Sequence, residues 1–227
     1  MSAAVSPPSS STPSAPGWLH RALRHRSFVI GAVLSALLIL AALLSFVWTP
    51  WSPYEMDLAN KLASPSGTHW LGTDAFGRDV ASLLLVGARN SILVGVIAVG
   101  IGLTIGTALG LLAAAKRGWV EELIMRLADF TFAFPAILSA IMMTAVFGAG
   151  IVNSIIAIGI FNIPTFARVT RASANAVWSR EYILASRACG KGSWRITLEH
   201  VLPNILSVLI VQATIQFAIA ILAEAAL

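Results

Sequence analysis

Long apolar stretches alternate with short charged connections along this chain. Four stretches lack Asp, Glu, Lys and Arg, and they run from Phe28 to Trp48, Ser91 to Ala115, Phe130 to Ala167 and Val201 to Ala223. A helix of about 20 apolar residues crosses the roughly 30 Å hydrocarbon layer of a membrane. The third stretch is long enough for two crossings, so we expect it to fold back at Gly148, Ala149 and Gly150. The pattern therefore predicts five membrane-spanning helices.

The predicted fold class is an all-α, polytopic membrane protein. We expect spans at about 28–48, 91–115, 130–147, 151–167 and 201–224 within a transmembrane domain at residues 28–227, with a cytoplasmic loop at 168–200. Residues 1–27 are expected to form a disordered cytoplasmic amino terminus with a basic end, because the serines and prolines at its start cannot bury a core.

Basic residues predict the orientation, because Lys and Arg concentrate in short cytoplasmic loops. The segment before the first span, residues 116–126 and residues 168–200 hold most of them. The opposite side holds only Lys61, Arg78 and Arg89. This distribution predicts that the amino terminus lies in the cytoplasm. The net charge of +5 therefore reflects topology, and no nucleic-acid partner is expected.

Composition and motifs argue against an enzyme. Hydrophobic residues make up 57% of the chain and charged residues 11%, with a mean hydropathy of +0.83, whereas soluble domains carry about 25% charged residues. The nearest approach to a phosphate-binding loop, Gly190-Lys191, is followed by Gly192 instead of Ser or Thr. No metal-site spacing of His and Cys and no GxSxG sequence occurs. Cys189 is the only cysteine, so no disulfide can form within the chain.

A charged segment, EYILASRACGKGSWRITLEHVLPN, lies at residues 181–204 between two apolar stretches. Good helix formers predict a short helix from Ala176 to Cys189. Gly190 and Gly192 should end it and turn the chain back to the membrane. Pro203 then falls in the first turn of the next span, where a missing amide hydrogen costs little.

This segment resembles the EAA loop of binding-protein-dependent ABC importer permeases, written EAA, three residues, Gly, nine residues, Ile-x-Leu-Pro. The matching positions are Ala185, Ser186, Gly190, Leu202 and Pro203. Leu184, Ser186 and His200 depart from the family's preferred residues. In that family the loop forms a coupling helix that lies in a cleft of the ATPase subunit. The resemblance therefore implies ATPase-coupling roles for Glu181, Tyr182, Ala185, Ser186, Arg187, Ala188, Gly190, Arg195, His200, Leu202 and Pro203.

A second signature, HWLGTDAFGRD at residues 69–79 followed by GARNS at 87–91, is similar to the C-type permease subunit of dipeptide, oligopeptide and nickel importers. Two glycines with alternating Asp and Arg predict a tight, salt-bridged turn outside the membrane. The alternative is that this segment only fixes the start of the second span. The external motif comprises Gly72, Thr73, Asp74, Gly77, Arg78, Asp79, Gly87, Ala88 and Arg89.

The resemblance implies a type I ABC importer transmembrane domain in the inner, or plasma, membrane that carries di- or oligopeptides, with nickel as the second candidate cargo. Its partners would be a homologous B-type permease subunit in a heterodimer, two ABC ATPase subunits and an extracytoplasmic substrate-binding protein. No cofactor is expected on this chain, because ATP and Mg²⁺ would be bound by the ATPases. The family has six spans and the pattern predicts five, so we expect a truncated or incomplete chain. The alternatives are an ion-coupled secondary transporter and a non-transporting remnant.

Two features inside the predicted spans suggest packing and passage. Gly102, Gly106 and Gly110 recur every four residues and favour close approach of another helix. Gln212 and Gln216 lie on one stripe of the last span, where a polar surface should face protein or water. We hypothesise that they border the translocation pathway; interhelical hydrogen bonding is the alternative.

Overall fold

The computed structural model describes residues 23–134, 136–148 and 150–225, and all its regular elements are helical. In chain order they are α1 (Arg26–Val47), a 3-10 turn (Leu58–Asn60), α2 (Val80–Lys116), α3 (Gly118–Ala133), α4 (Ala136–Phe147), α5 (Ile151–Trp178), α6 (Glu181–Ala188), α7 (Ser193–Ile196), a π-helical turn (Thr197–Val201) and α8 (Leu202–Ala225). Most of the predicted disordered amino terminus, residues 1–22, lies outside the described residues, as does Ala149.

Four of the described helices are long and apolar enough to cross a membrane. They are Arg26–Val47, Val80–Lys116, Ile151–Trp178 and the continuous segment Ser193–Ala225. The all-helical, multi-pass class predicted from the apolar stretches is therefore confirmed. The boundaries of individual helices differ from the sequence prediction in four places.

The second helix starts earlier than the predicted span at 91–115. α2 begins at Val80, because the carboxylate of Asp79 accepts a hydrogen bond from the Ser82 amide and caps its first turn. Arg89 and Asn90 lie on the helix instead of before it. Apolar length marks the lipid-facing part of a helix, and the remaining turns project beyond it.

The predicted span at 130–147 is divided between two helices. α3 ends at Ala133, and Phe134 has extended backbone at φ −99° and ψ 130°. A residue that precedes a proline avoids the helical region because the proline ring crowds it, and the sequence has Pro135 next. α4 then ends at Phe147, where the side-chain amide of Asn153 donates to the carbonyls of Phe147 and Gly148 and holds the chain reversal.

Helix α5 continues past the predicted end of its span at residue 167 to Trp178. The short helix expected from Ala176 to Cys189 is therefore wrong at its start. Arg180 has extended backbone at φ −77° and ψ 145°, which interrupts the helix, and α6 begins at Glu181. Its predicted end near Gly190 agrees with the structure.

The last helix does not begin beside Pro203. Ser193–Ala225 is continuous, and Pro203 follows the π-helical turn Thr197–Val201. The amide of Leu202 donates to the carbonyl of Thr197, five residues earlier. This widened turn immediately precedes the proline, whose missing amide cannot extend an ordinary helical hydrogen-bond ladder.

The core of the described residues is the contact between α2 and α5. A Cβ atom added to Gly102 would lie 2.3 Å from Cβ of Asn162, and one added to Gly106 would lie 2.5 Å from the carbonyl oxygen of Ile163. The glycine stripe of α2 therefore brings the two helix backbones together, as the sequence favours. α8 packs on the same cluster through buried residues that include Ile205 and Leu209.

Candidate functional site

Residues 179–200, here named the coupling segment, connect α5 to the last long helix. Within them, α6 buries one side chain, Ile183, which is 0% exposed and belongs to the core cluster with Trp178 and Ile196. The guanidinium of Arg187 lies 4.8 Å from the centre of the Trp178 ring. One buried side chain and one stacked arginine thus hold α6 against α5 and leave its opposite face exposed.

Gly190 terminates α6 with backbone that favours glycine. Its φ is +82°, its amide donates to the Arg187 carbonyl, and the Lys191 amide donates to the Ser186 carbonyl. These two bonds form the Schellman arrangement, which requires the left-handed conformation at the glycine. No atom lies within 4 Å of an added Cβ. The glycine is thus required by its backbone angle and not by crowding.

A polar cluster ties the far side of the coupling segment to the base of the last helix. The Lys191 ammonium lies 2.6 Å from a Glu199 carboxylate oxygen and 3.2 Å from Nε2 of His200. The Tyr182 ring meets the His200 ring edge to face, with centroids 6.3 Å apart. Arg195 also pairs with Glu199. His200, which departs from the family pattern, therefore links α6 to the next helix.

The predicted coupling residues lie in this segment or just after it, and most of them are exposed. Ser186 is half-buried and donates to the Tyr182 carbonyl, while Leu202 packs at the edge of the core. The exposed members are Glu181, Tyr182, Ala185, Arg187, Ala188, Gly190, Arg195 and Pro203. An open cleft of about 1020 Å³ lies beside them, lined by Ala176, Val177, Ser179, Arg180, Glu181, Tyr182 and Asn204.

The second predicted site lies in residues 48–79, here named the external loop after its predicted side. Gly72 and Gly77 have φ of +76° and +77°. A Cβ at Gly72 would lie 2.4 Å from the Ala63 carbonyl oxygen, and one at Gly77 would lie 1.8 Å from that of Asp57. Both glycines are therefore required by backbone angle and by crowding.

Asp74 organises the turn between these glycines. Its carboxylate accepts hydrogen bonds from the amides of Phe76 and Arg78, at 2.8 and 2.9 Å, and pairs with the Arg78 guanidinium at 2.6 Å. Burial opposes ionisation, but the bonds from Arg78 and Phe76 outweigh it and hold the pKa of Asp74 below its usual value. Thr73 is buried, and its hydroxyl accepts from the Ala63 amide and donates to the Asn60 carbonyl.

Asp79 joins the external loop to α2. Its side chain is 1% exposed and accepts from the amide and the hydroxyl of Ser82, each at 2.8 Å, while Nδ1 of His69 lies 3.1 Å away. Burial acts to raise the pKa of Asp79, but the hydrogen bonds from Ser82 and His69 together have the larger, opposite effect. The pKa of Asp79 is therefore lowered from its usual value. The His69 ring stacks on Trp51, with ring centroids 5.2 Å apart.

The rest of the external motif lies on α2 itself. Gly87 is exposed, and Ala88 and Arg89 are half-buried. The Arg89 guanidinium lies 5.1 Å from the centre of the Phe46 ring, so it joins the start of α2 to the end of α1. These three residues are thus separated in structure from the turn formed by residues 72–79.

The polar stripe of α8 is divided by burial. Gln216 is 7% exposed within the chain, and Gln212 is half-buried. Farther along, the Glu224 carboxylate accepts from the Ser91 hydroxyl of α2 at 2.9 Å. Burial alone does not separate the two interpretations, and both the pathway role of Gln212 and Gln216 and the interhelical hydrogen bonding stay hypotheses.

Sequence reasoning missed the contacts that hold these sites in place. Lys191 and Glu199 lie eight residues apart on opposite sides of Gly192, so no single helical spacing links them. Arg171 of α5 and Glu121 of α3 pair at 2.8 Å across two helices, so no helical spacing links them either. Their only sequence signal is the presence of opposite charges near helix ends.

Apolar helices long enough to cross a membrane, joined by an exposed short helix, place the chain in the class of polytopic α-helical membrane proteins. A sequence profile described as "Binding-protein-dependent transport system inner membrane component" matches residues 106–227, more than half of the chain. A second, "N-terminal TM domain of oligopeptide transport permease C", matches residues 18–65. The chain belongs to the family of binding-protein-dependent ABC importer permeases, in its dipeptide and oligopeptide C-type branch.

Known relatives agree with this assignment. The chain is 41% identical over 204 residues to the dipeptide transport system permease protein DppC of Alkalihalophilus pseudofirmus, covering 90% of the chain and 67% of the relative. It is 37% identical over 201 residues to the glutathione transport system permease protein GsiD of Pectobacterium atrosepticum, covering 86% and 67%. A putative peptide permease protein of Brucella abortus is 35% identical over 208 residues, with 92% and 69% covered.

Family membership settles two general points. The fold is that of a type I ABC importer transmembrane domain. Permease subunits of this kind are non-enzymatic membrane components, and ATP is hydrolysed by separate ATPase subunits. The chain spans about two thirds of the length of the relatives that it matches.

Proposed function

We propose that this chain is the C-type permease subunit of an ATP-driven, binding-protein-dependent importer that carries short peptides across the inner membrane. It pairs with a homologous B-type subunit, two ABC ATPases drive it, and an extracytoplasmic binding protein delivers the cargo. The amino terminus lies in the cytoplasm. ATP and Mg²⁺ are bound by the ATPases, and this chain binds no cofactor.

The observation that carries this proposal is the exposure of α6. Except for Ile183 and the half-buried Ser186, the side chains of α6 are exposed. Both ends of this two-turn helix are nevertheless held, because Tyr182 near its start contacts His200 and Arg187 near its end stacks on Trp178. Tyr182 and Leu184 are 45% and 57% exposed in a segment that sequence places outside the membrane. A helix that is held rigidly and exposes apolar side chains is suited to docking in a partner's cleft.

Support for a peptide cargo comes from the relatives. One relative is named for dipeptide transport, the second for glutathione transport, and the third is named a putative peptide permease. Each of these cargoes contains peptide bonds. Nickel, which the external motif alone also allows, has no support from these three names, so we propose a di- or oligopeptide.

Transport in proteoliposomes tests this function. The chain is co-reconstituted with the B-type subunit, the ATPases and the binding protein from the same cell, and uptake of labelled dipeptides is measured with ATP trapped with the ATPase domains. We expect uptake that requires ATP and the binding protein and that ionophores leave unchanged. Uptake abolished by ionophores would support the ion-coupled alternative. Failure of the chain to co-purify with any ATPase would support the non-transporting alternative.

Gly190→Asp tests the docking of α6, with Gly190→Asn as its matched control. Both side chains enter the left-handed region more readily than most residues, so backbone strain is similar in the two variants. Asp adds a charge to the proposed interface and to the carboxyl end of α6, where the helix dipole disfavours it. We expect Gly190→Asp to abolish ATP-driven uptake while Gly190→Asn retains most of it. Equal uptake by both variants would contradict docking at this glycine.

A further inference from the structure

Two ion pairs join α3 to α5 and are here named the α3–α5 bridge. Nη1 of Arg171 donates to Glu121 at 2.8 Å, and Nη2 of Arg168 donates to Asp129. The Arg168 guanidinium also lies over the Phe132 ring, 4.4 Å from its centre. Each arginine belongs to α5, and each of its partners belongs to α3. The relative position of the two helices is therefore fixed by charged contacts as well as by apolar packing.

The Arg171–Glu121 pair is the better shielded of the two. Its side chains are 35% and 24% exposed, and Nε of Arg171 is buried with no hydrogen-bond partner in the described residues. Loss of one partner from such a pair leaves a charge with poor access to water, which costs more than at a fully exposed pair. The pair therefore resists separation of α3 from α5.

The bridge lies close to α6 in the chain and is joined to it by packed side chains. Both arginines are within about three turns of the end of α5, and α6 starts only three residues after Trp178. Trp178, Ile183 and Ala174 belong to one buried cluster, and Arg187 of α6 stacks on Trp178. Because these contacts hold α6 against the end of α5, we expect a displacement of α6 to move that end.

The other end of α3 is followed by a break in the helix. Phe134, immediately after α3, has extended backbone and separates α3 from α4. Residues at the ends of elements commonly act as hinges. Phe134 therefore marks a hinge position between α3 and α4, both of which pack on α5.

We propose that Arg168 and Arg171 are positioning residues for transport, which transmit the displacement of α6 through α5 to α3. On this view α3 and the adjoining part of α5 move as one body when the ATPases close. The inference rests on the proposed function, because it requires α6 to be moved by a partner. It assigns the bridge a role in coupling that is separate from docking itself.

Charge exchange tests this proposal in the reconstituted complex. Arg171→Glu and Glu121→Arg are measured singly and together, and the readout is peptide taken up per ATP hydrolysed. Coupling between sites typically corresponds to a factor of about 5 to 150, and we expect each single variant to lower this ratio roughly tenfold. The double variant should restore it, because opposite charges again face each other.

A role limited to stability predicts a different result. It would reduce the yield of assembled complex and leave uptake per ATP unchanged in the complex that remains. Glu121→Gln and Arg171→Gln remove a charge without reversing it, and they supply the same ratio if the reversed variants do not assemble. Glu122→Arg with Arg126→Glu is the matched control, because this exposed pair lies on α3 alone and should leave the ratio unaltered.

The outcomes separate this inference from the proposed function. Absence of ATP-driven uptake in the unaltered complex contradicts the proposed function itself. In a complex that does transport, an unchanged ratio in the variants at residues 121 and 171 overturns the bridge proposal alone. Failure of the double variant to restore the ratio, with the control pair active, also overturns it.

Discussion

The external loop and the coupling segment both use a left-handed glycine, but they place it in opposite surroundings. Gly77 has φ +77° and would clash with the backbone of Asp57 if it carried a side chain. Gly190 has φ +82° and faces open space. The external loop encloses its turn with its own chain, whereas the coupling segment exposes the turn to its surroundings.

The same contrast appears in the polar groups of the two regions. Asp74, Asp79 and Thr73 direct their hydrogen bonds into the loop or the adjoining helix. In the coupling segment neither Arg180 nor Gly192, which precede α6 and α7, makes a side-chain capping bond, and the end of α6 at Gly190 is capped by backbone bonds alone. A region whose polar groups are bonded internally keeps a fixed conformation, whereas a region that exposes polar groups can bind a partner through them.

Substitution of Gly77 and Gly190 by alanine should show the largest difference between the two regions. For Gly190→Ala we expect a cost of about 1 kcal/mol, the penalty for a left-handed non-glycine residue. For Gly77→Ala the clash adds to that penalty, and we expect about 3 kcal/mol in total. Hydrogen exchange of the amides in each region measures the cost, and 3 kcal/mol corresponds to roughly 100-fold faster exchange.

Gly67→Ala is the control for the external loop. Gly67 lies in the same loop, has no atom within 4 Å of an added Cβ and lacks a positive φ. Its substitution should change exchange little. Similar acceleration in Gly77→Ala and Gly190→Ala would show that crowding does not distinguish the two regions.

The second comparison concerns the two helix starts, and its expected effect is smaller. Asp79→Ala removes the cap of α2 and leaves the Ser82 amide without its partner, for which we expect a cost of about 2 kcal/mol. Arg180→Ala removes no capping bond from α6 and should cost less than about 0.5 kcal/mol. Unfolding in detergent micelles titrated with a denaturing detergent gives both values.

The pH dependence of the Asp79→Ala effect identifies its cause. Hydrogen bonds hold the pKa of Asp79 below its usual value in the folded protein, so its ionised form stabilises the fold. This contribution is complete above about pH 4, the usual pKa of an aspartate, and decreases as the pH falls through the lowered folded value. A cost that does not depend on pH would contradict capping by the carboxylate.

Much of the fold follows from the sequence because membrane helices are governed by apolar length. The run from Phe28 lies in a helix of nearly the expected extent, the run from Val201 lies within the longer helix Ser193–Ala225, and the glycines at 102, 106 and 110 lie against α5 as their spacing favours. The end of α6 at Gly190 is likewise local, because one residue type satisfies the required backbone angle.

What the sequence could not supply depends on contacts between distant segments. Apolar length gave no sign that α2 starts at Val80, because that start depends on Asp79 and on its partner His69 across the loop. The interruption at Arg180 is equally hidden, since Ala176 and Glu181 both suit a helix. Ion pairs such as Arg171–Glu121 link residues on different helices, and only the packed structure brings them together.

The smallest expected effect concerns the ion pairs of Glu199, which bond polar groups within the coupling segment as the external loop bonds its own. Glu199 pairs with Lys191 at 2.6 Å, with side chains 37% and 32% exposed, and also with Arg195, so solvent screens these pairs and their net contribution should be small. Glu199→Gln keeps the shape and removes the charge. We expect a slight increase in hydrogen exchange of α6 amides at low salt and no difference at 1 M salt, where charges are screened within about 3 Å. Glu181→Gln, which changes a carboxylate on α6 with no described salt bridge, is its control. A large, salt-independent effect at Glu199 would mean that the coupling segment is held by buried polar contacts as the external loop is, and the contrast between the two regions would disappear.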